Sequence, residues 1–195
     1  GRRSFKNLCL FYLMALPDEL IQLKCYEQFQ QANNMTDQIS ALTLLTYTDY
    51  PQRTIALDEF YQRWNHDTLV IDKWFGIQAA LPLPEALSQV KHLSKHSAFN
   101  MKNPNKVRAL IGTFCNVNLL HFHAENGSGY QFLKDCILEL DPLNAQIAAR
   151  LMGAFTQWKK FDTLRQTLIR EQLQQIVSTP EISMDVYEIA SKTLE

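Results

Sequence analysis

The stretch N-P-N-K-V-R-A-L-I-G-T-F-C, residues 103–115, decides the fold class. Its large apolar residues recur at spacings of three and four positions: Val107, Leu110, Ile111, Phe114 and Cys115. This spacing predicts one apolar face of an amphipathic helix. Asn103 and Pro104 predict where that helix starts, because asparagine caps free backbone N–H groups and proline fits the first helical position.

A second segment, residues 142–155, repeats this pattern after Asp141. The apolar stripe expected there consists of Leu143, Ile147, Leu151 and Ala154. Gln146 and Arg150 are four residues apart, so they lie on one face beside that stripe. Arg108 lies at the edge of the first stripe. Such polar groups either face a groove or partner, or are solvated side chains whose stems cover apolar surface.

Outward from these segments, the apolar spacing predicts ten to eleven helices. They are expected near residues 5–14, 17–32, 36–47, 51–65, 67–81, 85–93, 104–115, 130–140, 142–155 and 161–177, with a short last helix from 179. Several begin at a proline, and residues 116–128 resist assignment. No segment alternates in the manner of a strand. The sequence therefore predicts an all-α fold, a superhelical array of stacked antiparallel helix pairs.

Composition narrows the class of protein. A chain of 195 residues can form one domain or two close-packed helical halves. A formal net charge of −1 does not indicate nucleic-acid binding, and no apolar run is long enough to indicate a membrane span. The four cysteines never form C-x-x-C, and each lies in an apolar helical pattern. They are expected to be buried free thiols, as in a reducing compartment such as the cytoplasm.

The residues offer little chemistry of their own. His121, His123 and Glu125 lie at alternate positions, so they form either three ligands of a metal or a hydrogen-bonded loop. The sequence contains no H-E-x-x-H, no G-x-S-x-G and no phosphate-binding G-x-x-x-x-G-K-[ST]. We therefore expect no catalytic residue and no metal ligand within this chain.

Four segments carry a resemblance to a known family. They are Q-F-Q-Q-A-N-N-M-T-D at 28–37, L-V-I-D-K-W-F at 69–75, N-P-N-K-V-R-A-L-I-G-T-F at 103–114 and F-H-A-E-N-G-S-G-Y at 122–130. In this order they resemble the C-terminal domain of bacterial alanyl aminopeptidase (aminopeptidase N), a zinc-dependent family. The resemblance implies that residues 1–195 are a single helical domain, excised from a larger multidomain enzyme. A start at Gly1, directly before an apolar helix, agrees with that expectation.

The resemblance also implies a role. In the family a separate domain binds the zinc and cleaves N-terminal residues from peptides, while the C-terminal superhelix packs over it, encloses the cavity and controls peptide access. Arg108, Gln146 and Arg150 match family positions that contact the peptide. The expected partners are the catalytic and N-terminal domains of the same polypeptide, and peptide substrates.

Two other hypotheses stay open at this point. One is a free-standing helical-repeat adaptor that binds proteins on its concave face. The other is a small hydrolase that uses the His121, His123 and Glu125 loop.

Overall fold

The computed structural model describes all residues from 1 to 195, and every regular element in it is helical. The all-α prediction is confirmed. The α-helices are α1 Arg2–Leu13, α2 Glu19–Gln31, α3 Met35–Thr46, α4 Gln52–Trp64, α5 Thr68–Ala79, α6 Ala86–Leu93, α7 Pro104–Val107, α8 Thr113–Val117, α9 Leu119–Phe122, α10 Ser128–Leu140, α11 Ala145–Leu151, α12 Thr163–Val177 and α13 Met184–Leu194. A π-helical turn, Arg108–Gly112, joins α7 to α8, and 3-10 turns follow α11 at Met152–Phe155 and Trp158–Lys160.

Side-chain caps set many of the helix starts. Asp18 accepts hydrogen bonds from two backbone N–H groups at the start of α2, and Asn34 accepts one at the start of α3. Asn103 caps α7, with Pro104 at the first helical position as the sequence predicts. These oxygens satisfy N–H groups that have no partner inside a helix.

The chain forms two compact units, Gly1–Ile77 and Gln78–Glu195. The prediction of one helical domain over residues 1–195 stays a prediction. In the first unit α3 is central, since α1, α2 and α4 all pack against it. Its core includes the fully buried Phe29, Leu42, Leu45 and Phe60.

Asp37 ties three helices of the first unit together. This buried carboxylate accepts hydrogen bonds from Lys6 Nζ at 2.6 Å, Asn7 Nδ2 at 3.0 Å and Asn34 Nδ2 at 3.2 Å. Gln28 Nε2 on α2 donates to Asn7 Oδ1 and to the backbone oxygen of Asp37. The polar residues of the 28–37 segment therefore have structural roles in joining α1, α2 and α3.

The second unit is built around an aromatic core. Phe122 packs edge to face against Phe114 and Tyr130, and Phe114 packs in the same way against Phe132. Around this core α10 contacts α11 and α12, while α13 packs on α11 and α12. Consecutive helices thus pack as pairs, as the sequence predicts.

The chain has thirteen α-helices, more than the ten to eleven expected, and three of the boundaries that differ from expectation have a local cause. Residues 116–128, expected to lack a helix, contain α9, whose start is fixed by buried Asn118 donating to the backbone oxygens of Ala79 and Leu81 at 3.0 and 2.8 Å. The helix expected from Pro142 begins at Ala145, because Asn144 caps it. The last helix begins at Met184, not near 180, because Glu181 has a left-handed φ of 62° and Ser183 is the cap.

The cysteine prediction is correct for three of the four thiols. All four are free, and Cys25, Cys115 and Cys136 are buried. Burial raises the pKa of Cys25 and Cys136 to about 12, and that of Cys115 well above its ordinary value. The prediction is wrong for Cys9, which is exposed because α1 buries only Leu10. No helix combines the length and the apolar character that a bilayer span requires.

Candidate functional site

Arg108 lies in the most irregular helical turn of the second unit. It opens the π-helical turn Arg108–Gly112, in which backbone hydrogen bonds span five residues instead of four. The apolar residues of the surrounding stripe, from Val107 to Cys115, are buried as predicted. Arg108 itself is exposed. The turn therefore presents a permanent positive charge at the surface of a well-packed helix.

Polar side chains on α8 satisfy the carbonyl groups of this turn. The backbone N–H of Thr113 donates to the carbonyl oxygen of Arg108, and the Thr113 hydroxyl lies 3.4 Å from the same oxygen. Asn116 Nδ2 donates to the carbonyl oxygen of Gly112 at 2.8 Å. The sequence pattern gave no signal of the π-helical turn, because the apolar spacing across it remains that of an α-helix.

Gln146 and Arg150 lie on α11, and both side chains are exposed. Being four residues apart, they share one face of the helix, as expected. The apolar stripe expected beside them is wrong in part: Leu151 is buried, but Leu143 is 46% exposed and precedes the helix. The buried face instead consists of Ala148, Ala149, Leu151, Met152 and Phe155.

The structure brings two of the three predicted residues together and places the third on other elements. Gln146 and Arg150 lie on α11, which packs against α10 and α13. Arg108 lies on the π-helical turn, which packs against α6, α7 and α8. All three belong to the second unit and all three are exposed, so each can meet a ligand. Whether a single peptide contacts all of them stays a prediction.

The His121, His123 and Glu125 loop has the geometry of a structural element. His123 Nδ1 and the hydroxyl of buried Tyr130 share a hydrogen bond of 2.9 Å, and the His123 ring packs on Phe161 at 4.3 Å. Arg165 Nε donates to the backbone oxygen of His123 at 2.8 Å. Burial, with a smaller contribution from the charge of Arg165, lowers the pKa of His123. His123 thus joins the loop to α10 and α12.

No group of three or more His, Cys, Asp or Glu side chains is arranged to hold a metal ion. Glu125 instead points toward Arg165, whose Nη2 lies 3.9 Å from its carboxylate. This pairing and the His123 contacts favour the hydrogen-bonded loop over the metal-binding alternative.

A second exposed feature lies in the first unit, along α1. Five of its large side chains are 46–69% exposed: Phe5, Leu8, Phe11, Tyr12 and Leu13. A shallow groove of about 520 Å³ runs along this helix, and its lining includes Phe5, Cys9 and Leu13. We call the five exposed side chains, Phe5, Leu8, Phe11, Tyr12 and Leu13, the α1 apolar face. Several large apolar side chains exposed on one helix are typical of an interaction site.

Comparison with known proteins assigns the chain to a family. All of residues 1–195 match the family described as a domain of unknown function (DUF3458_C) with ARM repeats, and the chain belongs to that family. ARM repeats are stacked helices, which agrees with the paired helices seen here.

Several proteins similar to this chain are aminopeptidases. The chain is 40% identical to aminopeptidase N of Haemophilus influenzae over 195 residues and 38% identical to aminopeptidase N of Escherichia coli over 194 residues. It spans 22% of the length of each, matching their C-terminal portion. A crystal structure of Legionella pneumophila aminopeptidase A in complex with aspartic acid matches 98% of this chain and 23% of that one, with a TM-score of 0.93 and 37% identity. The family resemblance read from the four sequence segments is therefore confirmed.

Proposed function

We propose that this chain is the non-catalytic C-terminal part of a zinc-dependent aminopeptidase and that it controls which peptides reach the catalytic centre. The observation that carries the proposal is the similarity of the whole chain, at about 40% identity, to aminopeptidase N proteins that are more than four times as long. In this proposal zinc and the residues that cleave the first peptide bond lie outside residues 1–195. The cytoplasmic location expected from the free thiols belongs to the same proposal.

The side chains of Arg108, Gln146 and Arg150 have hydrogen-bonding groups suited to binding a peptide. Arg108 and Arg150 each carry a planar guanidinium that donates two parallel hydrogen bonds to a carboxylate, or single bonds to backbone carbonyls. The Gln146 amide both donates and accepts, so it can pair with a peptide group. These interactions bind the peptide away from the scissile bond, so they affect the affinity for long peptides without taking part in the chemistry.

The α1 apolar face is suited to an interface with another domain of the same polypeptide. Its large side chains are exposed when residues 1–195 stand alone, and burying each of them would stabilise an interface by about 1–2 kcal/mol. We propose that a neighbouring domain of the same enzyme covers this face. That contact would hold the first unit, which contains α1, against the neighbouring domain.

Arg150→Ala in the full-length enzyme tests the gating role. The KM for a peptide of about six residues is expected to rise roughly tenfold, the loss typical of one charge-assisted hydrogen bond, while the KM for a single-residue amide stays within about twofold. The reason is that only the longer substrate reaches a residue distant from the scissile bond.

Arg170→Ala is the matched control, because Arg170 is an exposed arginine on α12. It is expected to leave both KM values unchanged. An equal rise in KM for the peptide and for the amide in Arg150→Ala would contradict a peptide-contact role for Arg150.

A further inference from the structure

The π-helical turn at Arg108–Gly112 has a less stable hydrogen-bond pattern than a regular α-helix, and side chains nearby add hydrogen bonds to it. In this turn each backbone hydrogen bond spans five residues instead of four, which interrupts the regular α-helical pattern. Such turns are frequent at functional sites. Here the widening occurs at a turn whose exposed residue, Arg108, is a candidate peptide contact. The side chains that compensate for it are Thr113 and Asn116, one turn further along.

Thr113 acts directly on the backbone of Arg108. The carbonyl oxygen of Arg108 receives two donors, the N–H and the hydroxyl of Thr113. In a regular α-helix that oxygen would accept from the N–H of Gly112. The bonding to Thr113 therefore selects the wide turn and fixes the peptide plane that follows Arg108.

The side-chain stem of Arg108 runs along the π-helical turn. A Cβ placed on Gly112 would lie 3.7 Å from Cγ of Arg108, in ordinary van der Waals contact, so the stem of Arg108 runs beside this glycine. Asn116 holds the same glycine through its 2.8 Å hydrogen bond to the Gly112 carbonyl oxygen. Thr113 and Asn116 thus fix the two ends of the turn along which the Arg108 side chain lies.

We propose that Thr113 and Asn116 are positioning residues, which hold the π-helical turn so that Arg108 is presented to the peptide. This inference rests on the proposed peptide contact of Arg108. Neither residue needs to touch the substrate, and both act through the backbone of the turn.

The test compares Thr113→Val, Asn116→Ala and their combination in the full-length enzyme, with Arg108→Ala as reference. The combined variant is expected to raise the KM for a six-residue peptide about fivefold, with kcat and the KM of a single-residue amide unchanged. Added to Arg108→Ala, the same two substitutions are expected to cause no further rise, because residues acting through one group are not additive.

Two controls separate positioning from general damage. Thr113→Ser keeps the hydroxyl and is expected to retain the wild-type KM. Thr167→Val removes a hydroxyl that donates to the Thr163 carbonyl at 2.9 Å on exposed helix α12, and is expected to leave peptide KM unchanged.

The outcomes are distinct. If Arg108→Ala raises the peptide KM but the combined variant does not, the positioning inference is wrong while the proposed function stands. If the combined variant raises the KM further in the Arg108→Ala background, the two residues act independently of Arg108 and the inference is again wrong. If Arg108→Ala itself leaves the peptide KM unchanged, the peptide contact of Arg108 is wrong and the inference falls with it.

Discussion

Gly129 lies directly against the backbone of Phe122. A Cβ on Gly129 would stand 2.3 Å from the carbonyl oxygen of Phe122 and 2.8 Å from its Cα, distances that no real side chain adopts. The preceding Gly127 has a left-handed φ of 68°. The two glycines of the N-G-S-G sequence therefore let α10 begin in contact with α9, so that Tyr130 reaches the hydrogen bond with His123.

Gly129→Ala is expected to destabilise the protein by about 1–3 kcal/mol, because backbone, not a flexible side chain, must move to admit the methyl group. The measurement is the free energy of unfolding in urea. Gly153→Ala is the matched control, since nothing lies within 4 Å of a Cβ placed there. Equal unfolding free energies for the two variants would show that α9 and α10 can separate at little cost.

The His123 contact predicts a pH dependence of stability. Because burial lowers the pKa of His123 below its ordinary 6.5, the unfolded chain binds this proton more readily than the folded chain does. The stability is therefore complete above about pH 6.5 and declines as the pH falls below that value.

His123→Gln is expected to reduce this decline, although it lowers the stability at every pH by removing the ring contacts with Phe161 and Phe122. The measurement is the free energy of unfolding at pH 7.5 and at pH 5.5 in both proteins. A wild-type drop in stability that persists unchanged in His123→Gln would assign the pH dependence to other groups.

Asp37 predicts a second pH dependence, at lower pH. The hydrogen bond from Lys6, together with those from Asn34 and Asn7, lowers the pKa of the Asp37 carboxyl below its ordinary 3.8. A carboxyl of this kind stabilises the fold above its unfolded pKa, and the stabilisation is lost as the pH falls through the folded value.

Asp37→Asn is expected to cost about 1 kcal/mol at pH 7, a modest figure because Lys6 is half exposed and its charge is screened. The difference from wild type is expected to shrink toward pH 3, where the wild-type carboxyl also begins to lose its charge. Thermal melting across this range checks it. A constant difference at all pH values would mean that the charge of Asp37 contributes nothing.

The sequence predicts those features that depend on local chemistry. Asn103 caps its helix as expected, because a short polar side chain before an apolar period satisfies free N–H groups wherever the helix later packs. The buried stripe from Val107 to Cys115 follows from spacing alone. Arg108 is exposed for the same reason.

Features that depend on contacts between residues far apart in the chain could not be predicted from the sequence. The start of α9 depends on Asn118 reaching the carbonyls of Ala79 and Leu81, nearly 40 residues away. The start of α13 depends on Ser183, whose N–H donates to Asp141 Oδ2 at 2.8 Å. The π-helical turn at Arg108 leaves the apolar spacing intact, so nothing in the residue pattern separates it from a regular turn.

The rate at which the Cys9 thiol reacts with a maleimide shows whether the α1 apolar face is covered. It is the one exposed thiol of four, and burial raises the pKa of the other three thiols, which keeps them protonated and unreactive near neutral pH. In residues 1–195 alone, one thiol per chain is therefore expected to react rapidly with a maleimide at pH 7. Cys9→Ser is expected to abolish this fast reaction.

In the full-length enzyme the same thiol is expected to be protected, because the proposed neighbouring domain buries the groove that Cys9 lines with Phe5 and Leu13. Mass spectrometry of the labelled peptides measures the rate at Cys9, and we expect it to fall by at least about tenfold, the loss for a site that reacts only when the interface opens. Phe5→Asp changes the most exposed side chain of the face, which also lines the groove with Cys9, and is expected to restore part of the reactivity by weakening the contact. Equal labelling rates at Cys9 in the fragment and in the full-length enzyme would show that the α1 apolar face stays exposed and has another partner.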